Sequence, residues 1–188
     1  FNAFGYNTGD DFLYGWDIDN DALVRLGREG RTENLGPVTS IDDQGVTLSG
    51  GLNAGDMDLE GRLVVAQAGT DVAYRINLET RTYETFPLDT TLTNCFDIAY
   101  NPRTDLFYCG RADVQSLYTI DIEAGTVEVT SLGGELLGDR GFGASWFDSA
   151  GRLYLYRNSG HLHRLDLESR RLQFLGLGDD STNNDGAA

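Results

Sequence analysis

The chain contains a hairpin-like segment that recurs along its whole length. The clearest copies are "LYTIDIEAGTVEVTSLG" (117–133), "AYRINLETRTYETFPL" (73–88) and "LHRLDLESRRLQFLGLG" (162–178), and a weaker copy is "LVRLGREGRTENLG" (23–36). Each copy has two stretches of alternating apolar and polar residues around a polar turn, which predicts a β-hairpin.

A second type of hairpin precedes each of these copies. The segments are "AFGYNTGDDFLYG" (3–15), "DMDLEGRLVV" (56–65), "DIAYNPRTDLFYCG" (97–110) and "SWFDSAGRLYL" (145–155), and each turns at residues that favour tight turns. The two hairpins together make a unit of four strands with a period of roughly 47 residues. We therefore divide residues 1–178 into repeats at 1–50, 51–94, 95–141 and 142–178, followed by a polar tail at 179–188.

Repeats of this length, each with four strands, are typical of β-propeller blades. No segment keeps a helical apolar period for three turns. The sequence therefore predicts an all-β, propeller-like domain of about four blades. Four blades are few for a closed propeller, so a ring completed by another chain stays open as an alternative.

The negative net charge limits which partners the chain can be expected to bind. The sequence has 30 acidic residues and 14 basic residues, all arginine, and the formal net charge is -16. Nucleic acids and anionic membrane surfaces both attract basic footprints, so neither is an expected partner. No apolar run approaches the roughly 18 residues needed to span a bilayer, and we expect no membrane insertion.

Several of these segments resemble known propellers. "LYTIDIEAGTV" and "YRINLETRTY" resemble outer hairpins of quinoprotein-like propellers, whereas "DSAGRLYL" and "DLEGRLVV" resemble hairpins of NHL-like and lactonase-like propellers. Together with "GYN", "FLYG" and the terminal "NNDGA", the chain is similar to an uncharacterised propeller-like repeat domain of secreted and surface-attached microbial proteins. The resemblance implies a propeller fold and an extracellular or cell-surface location.

Three aspartates alternate in "WDIDND", at Asp17, Asp19 and Asp21. An EF-hand that began at Asp17 would need glycine at its sixth position and glutamate at its twelfth, where this chain has Ala22 and Arg28. The pattern therefore indicates an acidic turn between two strands. A calcium site remains the alternative, because carboxylate oxygens are the ligands that calcium prefers.

Propeller geometry, carried over from the resemblance, places the connectors 16–21, 67–71, 111–115 and 157–160 on one face with the blade-to-blade loops 36–53, 88–93 and 132–144. We call this the connector face. A mixed rim of aspartate and arginine there is a candidate surface for a peptide, a glycan or another subunit, and a merely solvated rim is the alternative. Besides the three aspartates above, its candidate residues are Asp42, Asp43, Asp71, Arg111, Asp113, Asp139, Arg140 and Arg157.

The sequence shows no catalytic motif. It has no G-x-S-x-G elbow and no phosphate-binding loop, and His161 and His163 lack further ligands for zinc, so packing explains them better. We predict no catalytic residue and no required cofactor. The resemblance to propeller lactonases, which use calcium-bound carboxylates, keeps a calcium-dependent hydrolase as an alternative.

The two cysteines lie on one predicted hairpin. If Tyr100 pairs with Leu106, Asp97 pairs with Cys109 and Cys95 is a diagonal neighbour at about 7–8 Å, slightly too far for a disulfide. A shift of one residue would bring the cysteines opposite each other. A bridge and two buried thiols both stay open, and an oxidising compartment favours the bridge.

The predicted function is a non-catalytic extracellular module for cell-surface interaction or for self-assembly into a surface structure such as a filament. Its expected partners are copies of itself or a surface protein or glycan. The first alternative is an adhesin domain that recognises a peptide or glycan through the connector face. The tail 179–188 is polar, and we expect it to make ordered contacts, preferably with another chain.

Overall fold

The computed structural model describes residues 1–43, 45–181 and 184–187. In these ranges the chain forms eighteen β-strands and one short 3-10 turn at Arg28–Gly30, with no α-helix. No helix in these ranges is long and apolar enough to cross a membrane.

The strands form four antiparallel sheets, numbered here as blades 1 to 4 in chain order. In blades 2 and 4, a two-residue strand from the preceding connector pairs in parallel with the outermost strand, so that these sheets have five strands. The strands are β1 (Asn2–Asn7), β2 (Phe12–Asp17), β3 (Ala22–Leu26) and β4 (Thr32–Gly36) in blade 1; β5 (Thr39–Ser40), β6 (Ala54–Met57), β7 (Leu63–Ala66), β8 (Val72–Asn77) and β9 (Thr82–Pro87) in blade 2; β10 (Ala99–Asn101), β11 (Leu106–Arg111), β12 (Ser116–Asp121) and β13 (Thr126–Ser131) in blade 3; and β14 (Gly133–Gly134), β15 (Phe142–Phe147), β16 (Leu153–Arg157), β17 (His161–Asp166) and β18 (Arg171–Leu177) in blade 4.

The four sheets are arranged as the blades of a β-propeller, which confirms the predicted fold class. The innermost strands β1, β6, β10 and β15 surround a central channel. The turns of the inner hairpins lie at one end of the channel, which we call the turn face. The connector face lies at the other end.

The hydrophobic core lies between blades rather than inside one layer. One cluster joins blades 1 and 2 around Trp16 and Leu63, a second joins blades 2 and 3 around Val64 and Phe107, and a third joins blades 3 and 4 around Leu155. These clusters exist because successive strand residues alternate between the two faces of each sheet, and each face meets a neighbouring blade. Among the described residues, no such cluster joins blade 4 to blade 1.

The hairpin that carries the cysteines differs from the predicted register by one residue. Tyr100 pairs with Phe107 and Asn101 with Leu106, so the pairing of Tyr100 with Leu106 was wrong. A four-residue turn, 102–105, closes the hairpin and sets this register. Cys95 and Cys109 are joined by a disulfide with their Cα atoms 5.9 Å apart.

Candidate site at the turn face of the channel

A cavity of about 800 Å³ opens at the turn face. Its walls include one residue from the end of each innermost strand: Tyr6, Met57, Tyr100 and Phe147. Each of the four comes directly before, or one residue before, the turn of its inner hairpin, so the repeat itself brings them together. Trp146 also lines the cavity, and its ring is parallel to that of Tyr154, with the centroids 5.6 Å apart.

The two tyrosines are fixed in the same way in blades 1 and 3. The Tyr6 hydroxyl donates to Asp11 Oδ1 at 2.7 Å, and the Tyr100 hydroxyl donates to Asp105 Oδ1, also at 2.7 Å. Burial and the neighbouring Asp105 carboxylate raise the pKa of Tyr100. Both tyrosines therefore keep neutral hydroxyls at physiological pH, and of the two, Tyr6 is the more exposed.

The carboxylates at the cavity rim are paired with arginines. Asp58 Oδ2 accepts from Arg62 Nε at 2.7 Å, and Asp148 Oδ2 accepts from Arg152 Nε at 2.6 Å. The other oxygen of each aspartate accepts backbone amides of its own turn. The Arg152 guanidinium lowers the pKa of Asp148 to about 2. The oxygens of Asp58 and Asp148 are therefore already used in hydrogen bonds that stabilise their own turns.

Three further carboxylates lie inside the channel, and each joins two inner segments. Asp56 Oδ2 accepts from Tyr100 N at 2.8 Å, Asp97 Oδ2 accepts from Ser145 N at 2.6 Å, and Asp185 Oδ2 accepts from Phe4 N at 2.8 Å. The second oxygen of each accepts the amide of its own following residue.

Burial raises the pKa of all three channel carboxyls. The pKa of Asp56 rises to about 8 and that of Asp185 to about 7, and in both cases desolvation is the main cause. The pKa of Asp97 is also well above its usual range, because the group is desolvated and lies near Asp185 and Asp56. Each of the three groups therefore keeps its proton to a higher pH than an exposed carboxyl does.

The other end of the channel has a different lining. A cavity of about 430 Å³ on the connector face is lined largely by side-chain amides. The Oδ1 atom of Asn158 and the Nδ2 atom of Asn184 are buried there without a hydrogen-bond partner. The amides that line it are Asn2, Asn53, Gln67, Asn158 and Asn184.

The structure places the "WDIDND" aspartates in a tight turn. Asp17 is buried, and its oxygens accept from Asp19 N, Asn20 N and Asn20 Nδ2. The Asn20 side chain lowers the pKa of Asp17. Asp21 Oδ1 accepts from Gly50 N at 2.9 Å, and Asp19 is exposed. No group of three or more His, Cys, Asp or Glu side chains in the described ranges could hold a metal ion.

The other connector-face candidates do not line either channel cavity. Arg111 forms an ion pair with Asp113 at 2.8 Å, and Arg157 is buried, where its Nη1 donates to Leu137 O at 3.1 Å. Burial lowers the pKa of Arg157. The remaining candidates, which are all exposed, are Asp42, Asp43, Asp71, Asp139 and Arg140.

His163 is a core residue, as the packing interpretation predicted. It is fully buried, Leu137 N donates to its Nε2 at 3.2 Å, and its ring lies edge-on to that of Phe142. Desolvation lowers its pKa to about 4, so the ring is neutral at physiological pH. His161 lies near the outer strand, where its ring contacts that of Phe174.

Neither the turn-face cavity nor the channel carboxylates were predicted from the sequence. The sequence does contain a signal for the cavity: "GYN", "AYN" and "WFD" each place one or two aromatic residues just before a turn. A second signal was the spacing N-x-x-D, at Asn53–Asp56 and again at Asn94–Asp97.

Four blades around a central channel define a β-propeller. The chain belongs to the family described as a repeat of unknown function (DUF6923), whose model matches residues 1–188. No curated protein matches this chain.

Solved structures share the fold at low sequence identity. Virginiamycin B lyase from Staphylococcus aureus is 9% identical with a TM-score of 0.60, over 98% of this chain and 59% of that one. A nutrient-binding protein from Bacteroides ovatus is 17% identical with a TM-score of 0.63, over 96% of this chain and 43% of that one. The chain thus spans about half of the length of these two proteins. At such identities, the likeness shows the fold alone.

Proposed function

We propose that this chain is a non-catalytic binding module of the cell exterior that takes a saccharide in the turn-face cavity. The observation that carries the proposal is the aromatic lining of that cavity, at a volume of about 800 Å³. Ligand pockets of this size bury most of a small ligand. The flat rings of Tyr6 and Trp146, which are half-buried at the cavity, suit the apolar faces of sugar rings.

Polar groups at the same mouth of the channel would fix the orientation of a bound saccharide through hydrogen bonds. Asn7, Thr8 and Ser149 line the cavity and offer amide and hydroxyl groups for sugar hydroxyls. The rim carboxylates Asp58 and Asp148 are already paired with arginines. This pairing favours binding over acid–base chemistry at the rim.

The Cys95–Cys109 disulfide supports an extracellular location, because such bridges persist in oxidising compartments. The net charge of -16 also favours solubility outside the cell. Surface attachment, through a sugar or a protein on the cell exterior, fits both features.

Trp146 gives a direct test. The chain has two tryptophans, and Trp16 is fully buried with its Nε1 donating to Gly50 O, so a ligand in the cavity should change the fluorescence of Trp146 alone. We expect an oligosaccharide from a panel of hexose and N-acetylhexosamine chains to shift the emission. Trp146→Ala should abolish binding, whereas Leu177→Ala, on the outer strand at 72% exposure, should not. Equal binding by Trp146→Ala, or no response to the panel, contradicts the proposal.

One residue supports a second candidate, an enzyme that uses Asp56 as a general acid. Asp56 lines the same cavity and holds its proton to a pKa of about 8. A shifted carboxyl in a cleft is a common feature of active sites. Asp56→Ala would then abolish turnover of the bound saccharide, whereas a binding module shows no turnover with either protein.

A further inference from the structure

The connector-face cavity contains hydrogen-bonding groups that the fold itself does not use. Its volume is about 430 Å³, and each of the four repeats contributes to its lining. Asn158 Oδ1 and Asn184 Nδ2 are buried there and have no hydrogen-bond partner within residues 1–43, 45–181 and 184–187. Buried polar groups of folded proteins nearly always have a partner, so an acceptor and a donor left open in one cavity point to a ligand.

Another asparagine of the same lining shows what such an amide can hold. The Oδ1 atom of Asn53 accepts from Ala68 N at 2.8 Å, and its Nδ2 atom donates to Cys95 O at 3.4 Å and to Phe96 O at 3.3 Å. One side-chain amide in this cavity therefore already binds peptide groups from two other segments of the chain.

The backbone of a bound peptide complements the two open atoms. Its N–H groups would donate to Asn158 Oδ1, and its C=O groups would accept from Asn184 Nδ2. A side-chain amide carries both a donor and an acceptor, so the match holds for either direction of the peptide. Successive residues of a peptide repeat the same pair of groups, and Asn2 and Gln67 offer further amides for them.

Small residues in the wall leave room for a peptide backbone. Gly51, Ala68 and Gly143 all line the cavity. A Cβ atom at Gly143 would collide with Asn158 Oδ1, so glycine at this position keeps the open acceptor in place. Pockets for small ligands have volumes of about 300–1,000 Å³, and this cavity lies in the lower part of that range, which suits a short peptide.

The lining also selects against charge. Among the described residues that line the cavity, none is charged, and the chain as a whole has a formal net charge of -16. An ionised ligand would lose water without gaining a counter-charge, and an acidic ligand would also be repelled by the chain. The cavity therefore favours an uncharged stretch of peptide.

We propose that the connector-face cavity is a second binding site, and that it takes a short uncharged peptide segment of a partner protein through the amides of Asn158 and Asn184. The site lies at the opposite mouth of the channel from the turn-face cavity. It uses side-chain amides, and not the aspartate and arginine rim that the sequence predicted for this face. The inference is independent of the saccharide proposed for the turn-face cavity, because neither Asn158 nor Asn184 lines that cavity.

Calorimetry with the full chain tests the choice of ligand. The probes are capped tripeptides of glycine, alanine, serine and asparagine, which are uncharged, and the same peptides with aspartate as the central residue. We expect an uncharged peptide to bind, and its acidic counterpart to bind at least about tenfold more weakly, because it brings a charge into an uncharged cavity. No binding of any uncharged peptide at millimolar concentrations overturns the proposal.

Two substitutions test the position of the bound peptide. Asn158→Ala and Asn184→Ala each remove one open group, and each should weaken binding about tenfold, as the loss of one hydrogen bond does. Asn34→Ala changes an exposed asparagine on β4 and is the matched control, which should bind as the wild type does. Equal binding by all three variants, each with wild-type circular dichroism, overturns the site.

A third substitution moves an open group without removing it. Gly143→Ala would displace the Asn158 side chain and should weaken binding in the same way as Asn158→Ala. N-acetylglucosamine completes the test, because it carries an amide but no peptide backbone. Its binding to the wild type, without binding of the peptides, would overturn the peptide as the ligand and assign the cavity to an amino sugar.

Discussion

Asp97 joins blades 3 and 4 through Ser145: its Oδ2 accepts from both the backbone amide, at 2.6 Å, and the hydroxyl, at 3.0 Å. Both residues are almost fully buried. Asp56 and Asp185 make the corresponding bonds at two other seams. The propeller is therefore held at its centre by carboxyls that the fold keeps away from water, and this has a measurable consequence for stability.

We expect the melting temperature to fall as the pH rises from 6.5 to 9. The raised pKa values of Asp56 (about 8) and Asp185 (about 7) mean that the folded chain keeps protons that the unfolded chain has lost above pH 4. Stability is then lost as the pH rises through the folded values. Below pH 6.5, the neutral buried His163 acts in the opposite direction, so the test begins there. Thermal melts by circular dichroism measure the effect.

Asp185→Asn serves as the control for this pH dependence. The amide keeps one acceptor oxygen and cannot ionise, so the fall between pH 6.5 and 9 should become smaller. A wild-type melting temperature that is constant over this range would show that the channel carboxyls stay ionised when folded.

The blade pattern was predictable because it depends on local residues. Alternation and turn residues occur within each hairpin, and both repeat four times, so the four hairpin strands of each blade and the fold class follow from them. The added parallel strands β5 and β14 lie in the connectors and were not predicted. The register of the cysteine hairpin could not be predicted in the same way, because a turn that closes one residue earlier or later uses the same turn-forming residues. The observed register, which the four-residue turn 102–105 closes, also packs Tyr100 and Phe107 together into the seam with blade 2.

The Cys95–Cys109 bond gives the second prediction. The purified protein should show no free thiol until it is reduced, and reduction should lower the free energy of unfolding by about 3 kcal/mol, the value for a closed loop of roughly 15 residues. Intact-mass measurement with alkylation checks the first part, and urea melts check the second. Two thiols that alkylate without reduction would show that the bridge is not formed in the isolated protein.

Calcium binding at Asp17, Asp19 and Asp21 stays a prediction, and a titration decides it. A bound ion should raise the melting temperature as calcium increases to millimolar levels, because it binds only the folded chain. Asp17→Ala should cost about 1 kcal/mol by removing the acceptor of the turn amides, with or without calcium. A melting temperature that does not respond to calcium removes the site and leaves Asp17 as a turn residue.

The candidate site was less predictable than the fold. Tyr6, Tyr100 and Trp146 lie more than 40 residues apart in sequence, and their convergence depends on how the blades close around the channel. The acidic residues drew attention to the connector face because charge is visible in a sequence. The sequence does not show which charged residues form ion pairs. The ion pairs of Arg111 with Asp113 and of Arg62 with Asp58 became known only from the structure.

A close approach between blades 1 and 2 gives the final prediction. Blades 1 and 2 meet backbone to backbone, and a Cβ atom at Gly55 would lie 2.5 Å from Ala3 O and 2.7 Å from Ala3 C. Gly55→Ala must therefore push β1 away from β6, and we expect it to cost about 2 kcal/mol or more, as overpacking in a core does. Urea denaturation measures the loss.

Gly176→Ala is the matched control for this substitution. Gly176 lies on the outer strand of blade 4, and a Cβ atom there would meet nothing within 4 Å. The same change of residue should then leave the stability within about 0.5 kcal/mol of wild type or raise it slightly, because alanine restricts the unfolded chain. If Gly55→Ala were as stable as Gly176→Ala, β1 and β6 could not be as close as the structure places them, and the channel carboxyls would need another explanation for their burial.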